Sequence, residues 1–264
     1  MATGVGRLAA QMSVIDFYDA LAEDYDIVYG GRWEEAMSRQ GEALDRLIQS
    51  SLGAGAQDVL DCSCGIGTQA LGLAIRGHRV VGTDISLRSV ERARREASRL
   101  GVRASFAVAD FRDLGLVPGT FDVVISCDNA IPHLLTDSEI RQALASMHAK
   151  LRPRGLLVVS VRDYDRALVE RPATAPPTFT AGPPRRLLVR FHEWEEAGPI
   201  YELHLFVLSE LSDEWSLTAH YQTQYRALPR HELAAAAHDV GFDAIQWHEP
   251  EGIGFHQPVL TARE

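Results

Sequence analysis

The stretch that decides the fold is Val59–Thr68, which reads VLDCSCGIGT. An apolar run followed by Gly65 and Gly67 is typical of a buried strand that ends in a glycine turn, because glycine lets the backbone turn tightly and approach a ligand closely. Gly65, Gly67 and Ala70 also fit the spacing of the dinucleotide fingerprint. The stretch therefore predicts a nucleotide-type cofactor site, and an NAD-binding oxidoreductase is one hypothesis.

Acidic residues stand at the ends of three successive predicted strands. Asp61 precedes the glycine turn, Asp84 follows the second strand and Asp110 follows the third. Ligands of open α/β sheets bind at the carboxyl ends of the strands, so we expect these acids at one edge. Asp61 would repel a pyrophosphate but would favour a sulfonium cofactor with a cationic amino group. For Asp84 or Asp110 alone, a turn or capping role is the alternative.

Short apolar runs alternate with helical stretches along much of the chain. Strands are predicted at Asp58–Cys62, Arg79–Thr83, Arg103–Ala109, Phe121–Cys127, Leu156–Arg162, Phe242–His248 and Gly254–Ala262. Helices are predicted at Trp33–Ser50, Thr68–Arg76, Ser86–Leu100, Ser138–Leu151 and Pro229–Val240. This alternation predicts an α/β fold with a Rossmann-like, doubly wound, seven-stranded and mostly parallel sheet.

The alternation is interrupted after residue 165. Glu170–Pro184 holds five prolines and predicts a loop or lid. Arg186–Glu195, Ile200–Glu210 and Trp215–Leu228 predict three antiparallel strands joined by turns, as an inserted β-layer.

Composition limits the function classes. The net charge is −10 and the hydrophobic fraction is 46%, which argues against nucleic acid and against an anionic membrane surface as partners, and favours a small-molecule substrate. Cys62, Cys64 and Cys127 lack zinc spacing, so we expect no metal and no disulfide framework. Met1–Ile15 lacks the apolar core of a signal peptide, so a cytoplasmic location is expected. A homo-oligomer is left open.

The chain resembles the class I S-adenosylmethionine-dependent methyltransferases, and more closely their glycine N-methyltransferase-like branch. The resemblance covers most of the chain, about residues 15–165 well and the remainder loosely. Besides the glycine turn and Ala109–Asp110, it is carried by Val81–Ser86 (VGTDIS), Val124–Leu134 (VISCDNAIPHL) and Gly155–Asp165 (GLLVVSVRDYD).

By this resemblance the cofactor is S-adenosyl-L-methionine. Asp84 would hold the ribose, Asp110 with Phe111 the adenine, and the Cys127 carbonyl the methionine end. The implied cofactor-binding residues are Tyr25, Arg39, Asp61, Cys64, Gly65, Gly67, Asp84, Ile85, Asp110, Phe111, Cys127 and His133. The family has an Asn and a His spaced like Asn129 and His133, and an Arg and a Tyr spaced like Arg162 and Tyr164. Asn129, Arg162 and Tyr164 would face the substrate, and Asn129, His133 and Arg162 are the implied catalytic residues.

The resemblance also implies a division of the chain. Residues 1–55 would form an N-terminal helical segment that covers the cofactor. Residues 56–165 and 229–264 would form the Rossmann-like core, and residues 166–228 the inserted loop and strands that shape the acceptor pocket.

In-line transfer of a methyl group to an amino acid or a natural-product amine is the expected reaction. O- or C-methylation with His133 as base is an alternative, and a non-catalytic cofactor-binding protein is another. His133 could instead only order the loop or the cofactor. Arg162 could grip a carboxylate at two points or form an ion pair with Asp163 or Asp165.

Overall fold

Two β-sheets organise the chain in the computed structural model, which describes residues 12–264. Residues 1–11 of the segment considered above for a signal peptide lie outside the described residues. The strands are β1 Asp58–Asp61, β2 Arg79–Asp84, β3 Ala104–Val108, β4 Phe121–Ser126, β5 Leu151–Ser160, β6 Thr174–Thr180, β7 Arg186–Trp194, β8 Ile200–Leu211, β9 Glu214–Arg226, β10 Asp243–His248 and β11 Val259–Arg263.

Eight α-helices accompany these strands in the described part of the chain. They are α1 Val14–Leu21, α2 Trp33–Leu52, α3 Thr68–Ile75, α4 Leu87–Leu100, α5 Asp137–His148, α6 Tyr164–Glu170, α7 Arg230–Asp239 and α8 Pro250–Ile253. Two short 3₁₀ helices cover Tyr25–Tyr29 and Ile131–His133. No helix within residues 12–264 combines the length and apolar character needed to span a membrane.

The seven-stranded sheet has the strand order β10-β11-β5-β4-β1-β2-β3. β1 to β5 run parallel, and β11 is antiparallel to both of its neighbours. This architecture confirms the predicted Rossmann-like fold class. The chain moves outward from β1 to β3 and then crosses to β4 on the other side of β1. The carboxyl ends of β1 and β4 therefore flank the switch point, where open α/β sheets bind their ligands.

Apolar residues on both faces of the sheet explain why it is covered on both sides. The adjacent residues Val123 and Val124 are both fully buried, but they belong to different apolar clusters because successive strand residues point to opposite faces. One cluster includes residues of α2, α3 and α4. The other includes residues of α1, α5, α7 and the inner face of the second sheet.

A close glycine contact joins α2 to α3. A Cβ built on Gly41 would lie 2.6 Å from the carbonyl carbon of Gly72, so only glycine permits this helix separation. The contact places Gln40 beside Gln69, whose Nε2 donates to Gln40 Oε1 at 2.6 Å. Because Gln69 lies in the first turn of α3, this packing fixes the position of the glycine turn that precedes it.

The second sheet is antiparallel, with the order β6-β7-β8-β9. The prediction of a loop at Glu170–Pro184 was wrong in part, because β6 lies within it and α6 ends at its first residue. The β6–β7 register shifts between Ala175 and Thr178. Pro176 and Pro177 fall in this bulge on an edge strand, where a missing N–H costs least. The insert therefore contributes four strands instead of three.

Another difference concerns the start of β5. Pro153 and Gly155 were expected to lie between a helix and a strand, whereas β5 already begins at Leu151. Its register with β4 shifts, so that Phe121 pairs with Leu151 and Val123 pairs with Leu156. The extra residues make this part of β5 irregular, with Arg154 at φ 67°. The shift leaves the carboxyl end of β5, which precedes Arg162, in place.

Candidate active site

The glycine turn links β1 to α3 at the carboxyl edge of the sheet. Gly65 and Gly67 adopt φ values of 50° and 96°, the left-handed region that favours glycine. The turn is held by hydrogen bonds from Cys64 N to Thr83 O at 2.9 Å and from Gly67 N to Cys64 O at 2.8 Å. A Cβ on Gly65 would meet no atom within 4 Å, so open space lies beside this residue. The turn can therefore receive a ligand against its backbone.

Asp84 ties the glycine turn to the end of β2. Its carboxylate accepts the backbone N–H of Gly65 at 2.8 Å and that of Ser86 at 2.9 Å, with the half-buried Ile85 between. Burial raises the pKa of Asp84. Each carboxylate oxygen keeps a second lone pair, so these contacts are compatible with acceptance of ligand hydroxyls.

Asp61 is a buried acid with one unused oxygen. Its Oδ1 accepts from Ser63 N at 3.3 Å, and its Oδ2 has no hydrogen-bond partner within residues 12–264. Burial raises the pKa of Asp61 to about 8. An unsatisfied buried carboxyl group beside a glycine turn is costly for folding alone, and it suits a cationic ligand group.

Asp110 and Phe111 follow β3, as predicted from the sequence. Arg112 engages both oxygens of Asp110, with Nε at 2.9 Å and Nη2 at 2.7 Å from Oδ2 and the backbone N at 2.8 Å from Oδ1. Arg112 also donates to Glu139. The ring of Phe111 is partly buried against the apolar core. The Asp110 carboxylate thus stabilises a turn and forms an ion pair with Arg112. An adenine amino group that bound this carboxylate would have to share it with Arg112.

A cavity beside the glycine turn is covered by tyrosines from the N-terminal segment. We refer to it as the glycine-turn cavity. It is lined by Tyr18, Tyr25, Tyr29, Ser63, Cys64, Gly65, Ile66, Thr68, Gln69, Cys127, Asp128 and Ala130. Tyr25, Cys64, Gly65 and Cys127 were expected here from the sequence. Tyr18, Tyr29 and Asp128 were not, and the only signal for them was the density of aromatic and acidic residues in Asp16–Tyr29.

Arg39 does not take part in this arrangement. It is exposed on α2 and does not line the glycine-turn cavity. The neighbouring Gln40 is buried and faces α3 instead. The structure therefore does not support Arg39 as a cofactor contact, and that assignment stays a prediction.

The loop after β4 holds two polar residues in left-handed conformations. Asp128 and Asn129 have φ values of 61° and 72°. Asp128 accepts from Tyr29 Oη at 2.7 Å and contacts His256 Nε2 at 2.9 Å. Asn129 is buried, donates to Tyr164 Oη at 3.0 Å and accepts from Arg162 N at 3.1 Å. These side-chain contacts stabilise a backbone that apolar residues would rarely adopt.

His133 follows the same loop and has both ring nitrogens engaged. Its Nδ1 lies 3.2 Å from Gln224 O and its Nε2 lies 2.8 Å from Tyr18 Oη. A carbonyl can only accept, so Nδ1 carries the proton and Nε2 accepts from the tyrosine. Burial lowers the pKa of His133 to about 3. The imidazole is therefore neutral at physiological pH, and the lone pair on its Nε2 already accepts the hydrogen bond from Tyr18.

Arg162, which follows β5, has a half-buried guanidinium that forms no ion pair with a carboxylate among the described residues. Its Nη1 donates to Tyr201 Oη at 2.9 Å, and its Cζ lies 5.2 Å from the centre of the Tyr225 ring. The alternative ion pair with Asp163 or Asp165 does not form. Asp163 caps α6, and Asp165 contacts Arg230.

Tyr164 and Tyr201 form a polar chain behind Arg162. Their hydroxyl groups are 3.0 Å apart, and Tyr164 also receives the amide of Asn129. Tyr201 stacks on Tyr225 with ring centroids 5.7 Å apart. The predicted residues Asn129, Arg162 and Tyr164 are thus joined in one hydrogen-bonded group.

A second cavity adjoins the first, and we refer to it as the arginine cavity. It is lined by Phe17, Tyr18, Leu21, Tyr25, Val28, Arg162, Arg190, Leu203, Leu205 and Tyr225. Tyr18 and Tyr25 border both cavities and separate them. The site therefore has an acidic side at the glycine turn and a basic side at the arginines.

Cys62, Cys64 and Cys127 are buried and not disulfide-bonded. Burial raises the pKa of each thiol well above its ordinary value, so all three are neutral. Cys62 Sγ donates to Ile125 O at 3.2 Å. These thiols serve as small packing residues.

Another cavity, of about 1060 Å³, lies elsewhere. Asp58, Arg79 and Phe121, which begin β1, β2 and β4, line it. It is thus at the amino edge of the sheet, opposite the edge where such folds bind their ligands.

Comparison with known proteins places residues 59–155 in a family described as a methyltransferase domain. A glycine/sarcosine N-methyltransferase of Parasynechococcus marenigrum is 34% identical over 137 residues, which are 52% of this chain and 48% of the relative. A second such enzyme, from Halorhodospira halochloris, is 28% identical over 154 residues, 57% of this chain and 58% of the relative. The chain thus spans about half the length of the curated relatives it matches.

Solved structures share the whole architecture at lower identity. CalS10, an amino pentose methyltransferase from Micromonospora echinaspora, superposes with a TM-score of 0.76 at 21% identity, covering 91% of this chain and 96% of CalS10. The sugar N-methyltransferase KedS8 from Streptoalloteichus has a TM-score of 0.75 at 20% identity, covering 100% of this chain and 98% of KedS8. These likenesses show a common fold.

Proposed function

We propose that this chain, which belongs to the class I S-adenosylmethionine-dependent methyltransferases, methylates the nitrogen of a small amine that carries an anionic group. The observation that supports this most is Arg162, a half-buried guanidinium that forms no ion pair with a carboxylate within residues 12–264. A buried charge is costly unless an opposite charge reaches it. The matches to N-methyltransferases that act on glycine and sarcosine, by their names, support nitrogen as the acceptor atom.

The residues of the glycine-turn cavity fit S-adenosylmethionine, the cofactor of the family. Asp61 offers an unused, buried oxygen to a cationic amino group. Asp84 stands at the end of β2 for the ribose, and the space beside Gly65 allows close approach of a ligand. When bound, the cofactor supplies an electrophilic methyl group on a positively charged sulfur.

Further cofactor contacts are proposed from the lining of that cavity and the strand ends. Tyr25, Cys64 and Cys127 border the cavity. Gly67 and Ile85 hold the backbone of the turn and of the β2 end, while Asp110 and Phe111 stand at the end of β3. Arg39 is not included, because its side chain faces solvent.

The side chains around the arginine cavity align the acceptor and exclude water. A two-point pair with Arg162 would orient a carboxylate, and the chain of Asn129, Tyr164 and Tyr201 holds that guanidinium in place. Tyr18 and Tyr25 close the space between the two cavities. Alignment and exclusion of water are the main contributions that a methyl transfer needs from the protein.

The contacts of His133 support an ordering role in place of general-base catalysis. Its lone pair accepts from Tyr18, and its N–H donates to Gln224 of β9. An amine that arrives neutral does not need a strong base, so the proposed reaction is consistent with this assignment.

A direct test measures methyl transfer from S-adenosylmethionine to a panel of matched acceptors. Glycine and sarcosine carry an amine and a carboxylate, ethanolamine lacks the carboxylate, and glycolate replaces the amine by a hydroxyl group. We expect methylated product, identified by mass spectrometry, from carboxylate-bearing amines and little from ethanolamine. Arg162→Gln should abolish this preference, whereas Arg185→Gln, at an exposed ion pair with Glu210, should leave it intact. Methylation of glycolate in place of the amines would contradict the proposal.

A further inference from the structure

Arg190 is a charged residue on the apolar face of the second sheet. It pairs with Leu205 across β7 and β8, and the same face carries the buried Leu188, Leu203 and Val207. Because strand residues alternate between faces, Arg190 lies on the core-facing side of the sheet, where it is half-buried. A positive charge at such a position needs an anionic partner to offset its desolvation.

The contacts of Arg190 are all neutral. Its Nη1 donates to Thr178 Oγ1 at 2.7 Å and lies 3.4 Å from Pro176 O, and its Nη2 lies 3.3 Å from Val28 O. No ion pair involves Arg190 within residues 12–264, whereas Arg185 and Arg186, at the start of β7, each form one. Burial lowers the pKa of Arg190, and the proximity of Arg162 adds to this effect.

Arg162 and Arg190 line the same cavity. The other residues that line it are aromatic or aliphatic, and none is acidic. The acids of the site lie on the other side of Tyr18 and Tyr25, at Asp61, Asp84 and Asp128. The arginine cavity therefore contains two cationic groups that form no ion pair within residues 12–264, although Arg162 is near enough to Asp128 to help lower the pKa of that carboxyl.

We infer that the acceptor carries two anionic groups, one paired with Arg162 and the other with Arg190. An amino dicarboxylate or a phosphorylated amino acid has this chemistry. The inference rests on the proposed function for the location of the acceptor. The competing reading gives Arg190 a purely structural role, since its neutral contacts connect β7 to β6 and to the segment Tyr25–Tyr29.

Binding of small anions to the full chain saturated with S-adenosylhomocysteine separates the two readings. Butyrate and succinate have the same length but carry one and two carboxylates, and phosphoglycolate carries a carboxylate and a phosphate. Dissociation constants and the Nε–Hε signals of the two arginines can be followed by ¹⁵N–¹H NMR titration. We expect succinate or phosphoglycolate to bind at least about tenfold more tightly than butyrate, the scale of one additional charge-assisted pair. The tighter of the two identifies the second group as carboxylate or phosphate.

Substitutions at the two arginines then assign each charge. Arg190→Gln should bring the dianions to within about twofold of butyrate, and Arg162→Gln should weaken all three anions by about tenfold. Arg190→Lys keeps the charge and should retain part of the preference, and Arg185→Gln should retain all of it. S-adenosylhomocysteine affinity checks that each variant is folded. Equal binding of butyrate and both dianions by the native chain, or an unchanged preference in Arg190→Gln, would overturn the inference.

The outcome is independent of catalysis because none of the three probes has an amine. A chain that prefers dianions but methylates no amine would leave this inference standing and remove the proposed function. A chain that methylates carboxylate-bearing amines but shows no dianion preference would support the proposed function and overturn this inference.

Discussion

The hydroxyl group of Tyr18 donates to Nε2 of His133 across 2.8 Å, and the other nitrogen of that ring donates to the carbonyl of Gln224. The three residues belong to α1, to the loop after β4 and to β9. One imidazole therefore connects helix α1, the parallel sheet and the antiparallel sheet. The packing of α1 against the two sheets should depend on this connection.

Tyr18→Phe should destabilise the protein because it leaves Nε2 of the buried His133 without a donor. Loss of one partner from a buried polar pair costs about 1–3 kcal/mol, measurable as the free energy of unfolding in urea. Affinity for S-adenosylhomocysteine should fall as well, since Tyr18 lines the glycine-turn cavity. Tyr221→Phe is the matched control, because its hydroxyl group is 3.4 Å from Asp24 and outside both cavities. Equal effects of the two variants would argue against the connection.

His133 should make the protein sensitive to acid. In the native state burial lowers the pKa of His133 to about 3, whereas an unfolded histidine titrates near pH 6.5. The unfolded chain thus binds a proton that the native chain does not between these values. The contribution to stability is fully present above pH 6.5 and falls as the pH decreases, by up to about 1.4 kcal/mol per pH unit.

The measurement compares the native chain with His133→Asn by urea unfolding from pH 7.5 to pH 4.5. The stability advantage of the native chain should shrink as the pH falls. His231→Asn, at an exposed position of α7, is the matched control. An advantage of constant size for the native chain would show that His133 is not held neutral.

Cofactor binding should release a proton from Asp61. Burial raises its pKa to about 8, so the group is largely protonated at pH 7. A cationic amino group at the free Oδ2 would lower this pKa and displace up to about one proton. Calorimetry of S-adenosylhomocysteine binding in buffers of different ionisation enthalpy counts that proton. The release should disappear in Asp61→Asn and persist in Asp16→Asn, and proton uptake by the native chain would contradict the placement.

Arg162→Met should raise the stability of the cofactor-free protein while it removes anion binding. The guanidinium has no carboxylate partner in the described chain, and apolar replacement of buried charged groups is often neutral or stabilising by about 1–4 kcal/mol. Thermal unfolding measures the change. Arg92→Met should do the opposite and cost about 3 kcal/mol or more, because Arg92 donates to two backbone carbonyls and pairs with Asp26. A loss of stability in Arg162→Met would show that the contacts of Arg162 with the tyrosines compensate for the desolvation of its charge.

Gly41→Ala should weaken both the fold and the cofactor site. The added methyl group would meet the backbone of Gly72 at 2.6 Å, which must push α2 and α3 apart. Overpacking of this kind costs about 1–3 kcal/mol in urea unfolding. Gly252→Ala places the same methyl group in α8 with no atom within 4 Å, so it should be neutral or slightly stabilising. Similar stabilities for the two variants would contradict the importance of the contact.

The elements of the parallel sheet could be predicted because their signals are local. The apolar run of β1, the glycine turn and Asp84 follow one another within a short stretch, and strand–helix alternation fixes the sheet type. Because these signals are local, the fold class could be predicted correctly, and the strand order confirms it. Prolines misled the prediction around β6, because an edge strand can accept them in a bulge.

The contacts that close the site could not be predicted in the same way. Tyr18 and His133 are 115 residues apart in the chain, and nothing in either local pattern indicates the other. Arg190 reads as one polar residue of an alternating strand, and only the packing of β7 shows which face it occupies. Arg39 was predicted from its spacing in the family alone, and the structure places it on the exposed side of α2.

The inner face of the antiparallel sheet supplies Arg190, Leu203, Leu205 and Tyr225 to the arginine cavity. The match to the methyltransferase family ends at residue 155, before any of these strands begins. Under the proposed function, the cofactor is held at the parallel sheet, and the acceptor lies between Arg162, which follows that sheet, and the inner face of the antiparallel sheet. On that proposal, a lineage that retains the residues of β1 and β2 could acquire new acceptors by substitutions along alternate positions of β7, β8 and β9, and its descendants could specialise without evolving a new fold.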